Sequence, residues 1–196
     1  VEATRLGLPS RHCWAVLATR NASSAMRGAF AELRAADASR SLPRLQFFYS
    51  TQLSNVDVTA HSIDVCDFGP MPVSEEEEQE LYGGEGIPGG IDAIGPAVYF
   101  GPEESEAADS AEGVMDQLWA MIDPALQLVV EHKDVAQNRS NGTLKFFAYE
   151  CGPAGYGGGS STDTVIAAHR SPAMQNLTET LYNRLLEEVD GALHFG

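Results

Sequence analysis

The run Leu144-Lys-Phe-Phe-Ala-Tyr-Glu-Cys-Gly152 is short and apolar, ends in one carboxylate, Glu150, and opens directly into the glycine-rich Gly152-Pro-Ala-Gly-Tyr-Gly-Gly-Gly159. A carboxylate at the C-terminal end of a buried strand, with a loop and a helix after it, stands where parallel α/β architectures present reactive groups. The chemistry open to Glu150 is nucleophilic attack on an anomeric carbon; the plainer reading is a strand-end carboxylate hydrogen-bonded to neighbouring backbone. Glycoside hydrolysis divides that work between two carboxylates flanking the bond, and no second strand-end carboxylate is evident in the chain. The isolated chain is therefore expected to be inactive on glycosides. Tyr156, inside the glycine-rich loop, could donate to sugar hydroxyls. Tyr149 should alternate away from Glu150 and is assigned to the core.

Other chemistries find less support. Cys151 could be a thiol nucleophile with His194 or His169, but such a nucleophile needs an adjacent base oriented by a third group, and no spacing here supplies one. The glycine-rich loop is not followed by Gly-Lys-Ser/Thr, so it does not read as a phosphate loop. The run Glu75-Glu-Glu-Glu78 reads as a solvated helix face, because adjacent glutamates cannot all point at one ion. No metal and no cofactor is expected. Trp14 and Trp119 fall in helical stripes and are assigned to the core rather than to a sugar-stacking platform.

The elements that must position Glu150 follow from pattern. Ser10 can cap a helix over about 11–37, with Trp14, Leu17, Met26, Phe30 and Leu33 as its apolar residues; a strand over 13–18 is the alternative. After Pro43 a buried strand is expected over 44–50, its end from Tyr49 to Gln52 facing a site. The stretch of about 53–90 has no sustained period and reads as a long acidic and glycine-rich insertion with at most short elements. A strand over 91–100 comes next, then a helix over about 107–132 carrying Val114, Leu118, Met121, Ile122, Leu126 and Val129, with Pro124 as a kink. A polar loop at 137–143, the strand at 144–150, a helix over about 162–190 broken near Pro172, and a strand at 192–195 complete the chain. Strands alternating with helices imply parallel strands joined by crossovers.

Composition bounds the partners. The chain has 196 residues, 43% of them hydrophobic, enough for one substantial core and treated as a single unit. Its formal charge of −16 repels phosphate backbones and anionic lipids, so nucleic acid is excluded as a partner. No apolar run is long enough to span a membrane. Asn21, Asn138, Asn141 and Asn176 each begin an Asn-X-Ser/Thr triplet, which points to a secreted, extracellular glycoprotein. Cys13, Cys66 and Cys151 are an odd number, so their pairing stays open. Val1 is not an initiator methionine, and a mature or excised piece is expected.

Three stretches in this order carry a resemblance: Ile91-Asp-Ala-Ile-Gly-Pro-Ala-Val-Tyr-Phe-Gly101, Phe147-Ala-Tyr-Glu-Cys-Gly152, and Arg170-Ser-Pro-Ala-Met-Gln-Asn-Leu177 leading to Gly191-Ala-Leu-His-Phe195. Together, from about Ser10 to Gly196, the chain resembles the C-terminal half of secreted TIM-barrel proteins of glycoside-hydrolase type, some described as cellulose-binding-domain proteins. The resemblance implies an α/β fold, a partial (β/α)8 barrel made of roughly the last four strands with their helices. It implies that Glu150 is the seventh-strand carboxylate, the nucleophile of retaining members, with Tyr99 and Phe100 closing the sixth strand and His194 the eighth. Tyr49, Gln52, Tyr99, Tyr156 and His194 would then bind carbohydrate. In the same pattern the acid/base glutamate follows the fourth strand, which would precede Val1. Two features depart from the pattern: Cys151, where a small residue is expected, and the acidic insertion. Half a barrel leaves two unpaired strand edges, so a partner chain or the missing N-terminal half is expected beside them. The alternative is a non-catalytic structural or glycan-binding protein that assembles with partner chains.

Overall fold

The computed structural model describes residues 47–64, 91–101, 107–153 and 160–194, together with Ala22, Ala25, Met26, Gly28 and Ala29. Strands β1 (Phe48–Gln52), β2 (Ala93–Phe100), β3 (Lys145–Pro153) and β4 (Gly191–His194) form one parallel sheet in the order β1-β2-β3-β4. Helices α1 (Val56–Asp64), α2 (Ala111–Ser140), α3 (Thr162–His169) and α4 (Pro172–Glu188) fill the connections between them. The alternation follows from strand direction, since neighbouring parallel strands need a crossover. All four expected strands are present, with ends shifted by a few residues. No described helix is long and apolar enough to cross a membrane.

Local chemistry sets the boundaries. Ser161 caps α3 by accepting from the Thr164 amide. Ser171 caps α4 by accepting from the Met174 amide, with Pro172 in the first turn, where its missing N–H costs nothing. These two caps make the expected break near Pro172. Helix α2 runs through Ser140, past the expected end near His132, so Asn138 lies in its last turn rather than in a loop. It stops where Asn141 and Gly142 turn left-handed, at φ 52° and 74°, and the Gly142 amide returns to the Gln137 carbonyl at 2.9 Å. Pro124 sits inside α2, which continues on both sides of it. Residues 53–64, expected to open a long irregular insertion, hold a turn and the nine residues of α1. The acidic run at 75–78 lies outside the described residues.

The chain packs as two units. The first takes in 1–49, 57–94 and 135–145. In it Ile91, Ala93, Ile94, Ala136 and Leu144 are buried, and so are the Thr59 and Ser62 side chains of α1. The Asp92 carboxylate accepts from the Phe47 amide at 2.7 Å while its own amide donates to the Phe47 carbonyl at 2.8 Å. Ala22, Ala25, Gly28 and Ala29 are helical and exposed, as is Met26, one of the apolar residues named for the expected helix, at 53% exposure. Trp14 and Asn21 lie outside the described residues.

The second unit takes in 50–56, 95–134 and 146–196. Val114, Leu118, Ile122, Leu126 and Val129 of α2 are buried, as are Val98, Phe100, Phe146, Ala148 and Cys151 of the strands and Met174, Leu177, Leu181 and Leu185 of α4. Their spacing of three and four residues is the stripe a helix needs to face a sheet. Trp119 is 39% exposed, against the expectation of core packing. It follows Leu118 directly and so turns about 100° off the stripe. The clamp of the first unit recurs: the Asp190 carboxylate accepts from the Phe146 amide at 2.7 Å, and the Asp190 amide donates to the Phe146 carbonyl at 2.8 Å. In each unit an aspartate one residue before a strand thus pins the start of the neighbouring strand.

Candidate functional site

The site lies in the second unit, at the C-terminal ends of its strands. Glu150 is half-buried near the end of β3, and the Tyr99 hydroxyl of β2 donates to its Oε2 at 3.1 Å. Tyr99 is itself 39% exposed. Its phenol is held above its ordinary value, first by desolvation and then by the hydrogen bond and negative charge of Glu150. Tyr99 therefore stays a hydrogen-bond donor at neutral pH and orients the carboxylate.

Tyr149, expected to alternate away from Glu150, lines a cavity that Tyr99 also lines and Glu150 does not. In the pairing of β3 with β4, Phe147 lies opposite Gly191, Ala148 opposite Ala192, and Cys151 opposite His194, so one extra residue is inserted in β3 between Ala148 and Cys151. Tyr149 is half-buried and lines the same cavity as Tyr99.

That cavity measures about 590 Å3. Its buried lining is Thr51, Leu53, Phe100 and Ala125, each exposed by 8% or less. Gln52, the last residue of β1, and Ser54, in the turn after it, are exposed at its rim, and Met121, Pro124 and Leu128 of α2 form one wall. None of the described residues lining it is charged. Behind the lining, His132 is fully buried with Nε2 at 3.0 Å from the Leu53 carbonyl. A carbonyl only accepts, so Nε2 carries the proton. Burial lowers the His132 pKa below its ordinary 6.5, against the opposing pull of that carbonyl and of Glu131. The Tyr182 hydroxyl donates to the Cys151 carbonyl at 3.1 Å, and its pKa is pushed up to about 12, chiefly by desolvation.

Of the residues singled out from sequence, Glu150, Tyr99 and Gln52 come to this region. Tyr49 does not line the cavity: β1 runs on to Gln52, which leaves Tyr49 short of the strand end. His194 is the last residue of β4 and pairs with Cys151 through the backbone, and its side chain lies outside the described part, as does all of Tyr156. Asn138, Asn141 and Asn176 are exposed. Sequence reasoning missed Tyr149, Thr51, Leu53 and His132. For His132 a signal existed, because it continues the stripe of Val129 at a spacing of three residues. No group of three or more His, Cys, Asp or Glu side chains among the described residues could hold a metal ion. Compared with protein-family models, with curated proteins and with solved structures, the chain matches none.

Proposed function

We propose that this chain is the C-terminal half of a (β/α)8 barrel of glycoside-hydrolase type, and that it binds carbohydrate at Glu150 and Tyr99. The observation that carries the reading is the bond from the Tyr99 hydroxyl to Glu150, at the ends of adjacent parallel strands and beside a cavity. The sheet order supports the barrel. Right-handed crossovers between strands taken strictly in sequence put every helix on one face, as in a barrel, whereas doubly wound sheets reverse their order. In a complete barrel Glu150 is the nucleophile of a retaining mechanism, and the acid/base carboxylate comes from a segment outside this chain. By itself the chain then binds sugar without cleaving it. Exposed Asn138, Asn141 and Asn176 are compatible with a secreted glycoprotein.

The test is a titration of the chain with soluble glucan, xylan and chitin oligosaccharides, read by amide NMR shifts. One class should move the signals of Tyr99 and Glu150, and Glu150→Gln should weaken it by at least about tenfold, the worth of a hydrogen bond to a charged group. Binding by no oligosaccharide, or binding indifferent to Glu150→Gln, sinks the reading.

A further inference from the structure

We infer that the cavity beside Glu150 receives an uncharged, mainly apolar ring system, the aglycone of a glycoside whose sugar is held at the rim. This rests on the reading of Glu150 and Tyr99 as a sugar site and names the substrate class of that site.

Volume, charge and polarity converge on it. A cavity of about 590 Å3 lies within the range of small-molecule sites and is far larger than a packing defect. The polar groups are graded from rim to floor: Gln52, Ser54 and Tyr99 are exposed, whereas Leu53, Phe100 and Ala125 are buried. A pyranose pushed to the floor would strand most of its hydroxyls away from water, and each stranded group carries a desolvation cost. The sugar belongs at the rim, beside the carboxylate that Tyr99 orients, and the apolar part of the ligand belongs inside. An anionic ligand is disfavoured by the Glu150 carboxylate that the lining residue Tyr99 holds at 3.1 Å and by the chain's formal charge of −16, and no described lining residue is charged.

One polar atom remains at the floor. Thr51 is 96% buried by its 4% exposure, lines the cavity, and its Oγ1 has no hydrogen-bond partner. Buried hydroxyls are seldom left unpaired. A ligand with a hydroxyl or carbonyl at its inner end supplies the missing partner, which narrows the class to phenol-like or keto-bearing aglycones. His132 holds the Leu53 carbonyl from behind, so the floor is fixed before the ligand arrives.

The probes are 2-naphthol and naphthalene, titrated into the full chain and followed by ligand fluorescence and by amide NMR. We expect 2-naphthol to bind once per chain and to shift Thr51, Leu53 and Ala125. Leu128→Trp, which fills the cavity from the α2 wall, should abolish that binding. Thr51→Val should weaken 2-naphthol by roughly three- to tenfold, one hydrogen bond's worth, and leave naphthalene unchanged. Circular dichroism of both variants separates a blocked cavity from a misfolded chain, and if Leu128→Trp misfolds, Met121→Trp takes its place. Failure of 2-naphthol to bind, or binding that survives the filled cavity, overturns the inference while leaving oligosaccharide binding at Glu150 untouched. Binding of 2-naphthol without any oligosaccharide binding overturns the sugar reading, and with it the word aglycone, but keeps the apolar ligand. Equal weakening of both probes by Thr51→Val refutes the role of the hydroxyl.

Discussion

His132 should make the stability of the protein depend on pH near neutrality. The side chain is fully buried, donates to the Leu53 carbonyl, and has its pKa lowered from 6.5 chiefly by burial. In the unfolded chain the imidazole takes up a proton as pH falls through 6.5; in the folded chain it resists. The unfolded state then binds more protons, so stability is complete above pH 6.5 and is lost as the pH falls below it. If the folded imidazole stays neutral throughout, lowering the pH from about 7.5 to about 5.5 removes at most about 1.4 kcal/mol, one proton integrated across the unfolded titration. The assay is urea unfolding at both pH values for the native protein, for His132→Gln, whose amide can still donate to Leu53, and for His132→Leu, which cannot. Carboxylate titration and relief of the negative net charge affect all three alike and cancel in the differences. Both variants should lack the increment specific to His132, and His132→Leu should also be weaker at every pH by the roughly 1–3 kcal/mol of an orphaned carbonyl. An identical pH dependence in native and variant proteins would refute the argument, because it would mean that the buried imidazole titrates as it does in water.

Gly95→Ala should unfold the sheet or cost more than about 4 kcal/mol, since a Cβ there would be driven into the carbonyl oxygen of Phe147 and sit 2.7 Å from its carbonyl carbon, both backbone atoms that cannot step aside; a thermal midpoint within a few degrees of native would show that β2 and β3 are not so close. Tyr182 should ionise late in an alkaline absorbance titration, near pH 12. Because its neutral form is favoured in the folded chain, stability from this group is complete below about pH 10 and lost as pH rises beyond it; a titration curve unchanged by Tyr182→Phe would contradict this. Material from a secretory host should lose mass on amidase treatment, and Asn141→Gln should remove one glycan, because Asn141 is exposed in a left-handed turn just beyond α2. An unchanged mass in native material would remove the main support for secretion.

What could be read from the chain alone was order and type. Apolar runs rich in aromatic and β-branched residues, separated by helical periods, sufficed for four parallel strands and the helices between them, because burial on a strand or a helix imposes its own period. The caps at Ser161 and Ser171 were equally local, so the break before Pro172 was legible. A repeated signal went unread: Phe47-Phe48 and Phe146-Phe147 each open a strand, and Asp92 and Asp190 each sit just before the neighbouring one. Glu150 was singled out as a strand-end carboxylate, whereas β3 runs on past it to Pro153.

The pairing of Glu150 with Tyr99 was not legible. Tyr99 and Glu150 are 51 residues apart, and only the register of β2 against β3 brings them within hydrogen-bond distance. The sequence alone assigned Tyr149 to the core from strict alternation, and only the fold shows that it lines a cavity together with Tyr99. The cavity has the same origin, since Thr51, Tyr99, Ala125 and Tyr149 come from three strands and a helix whose patterns say which side is apolar but not where packing leaves a gap. Periodicity belongs to a segment and survives in the sequence; register, bulges and voids belong to pairs of segments and exist only once the chain has folded.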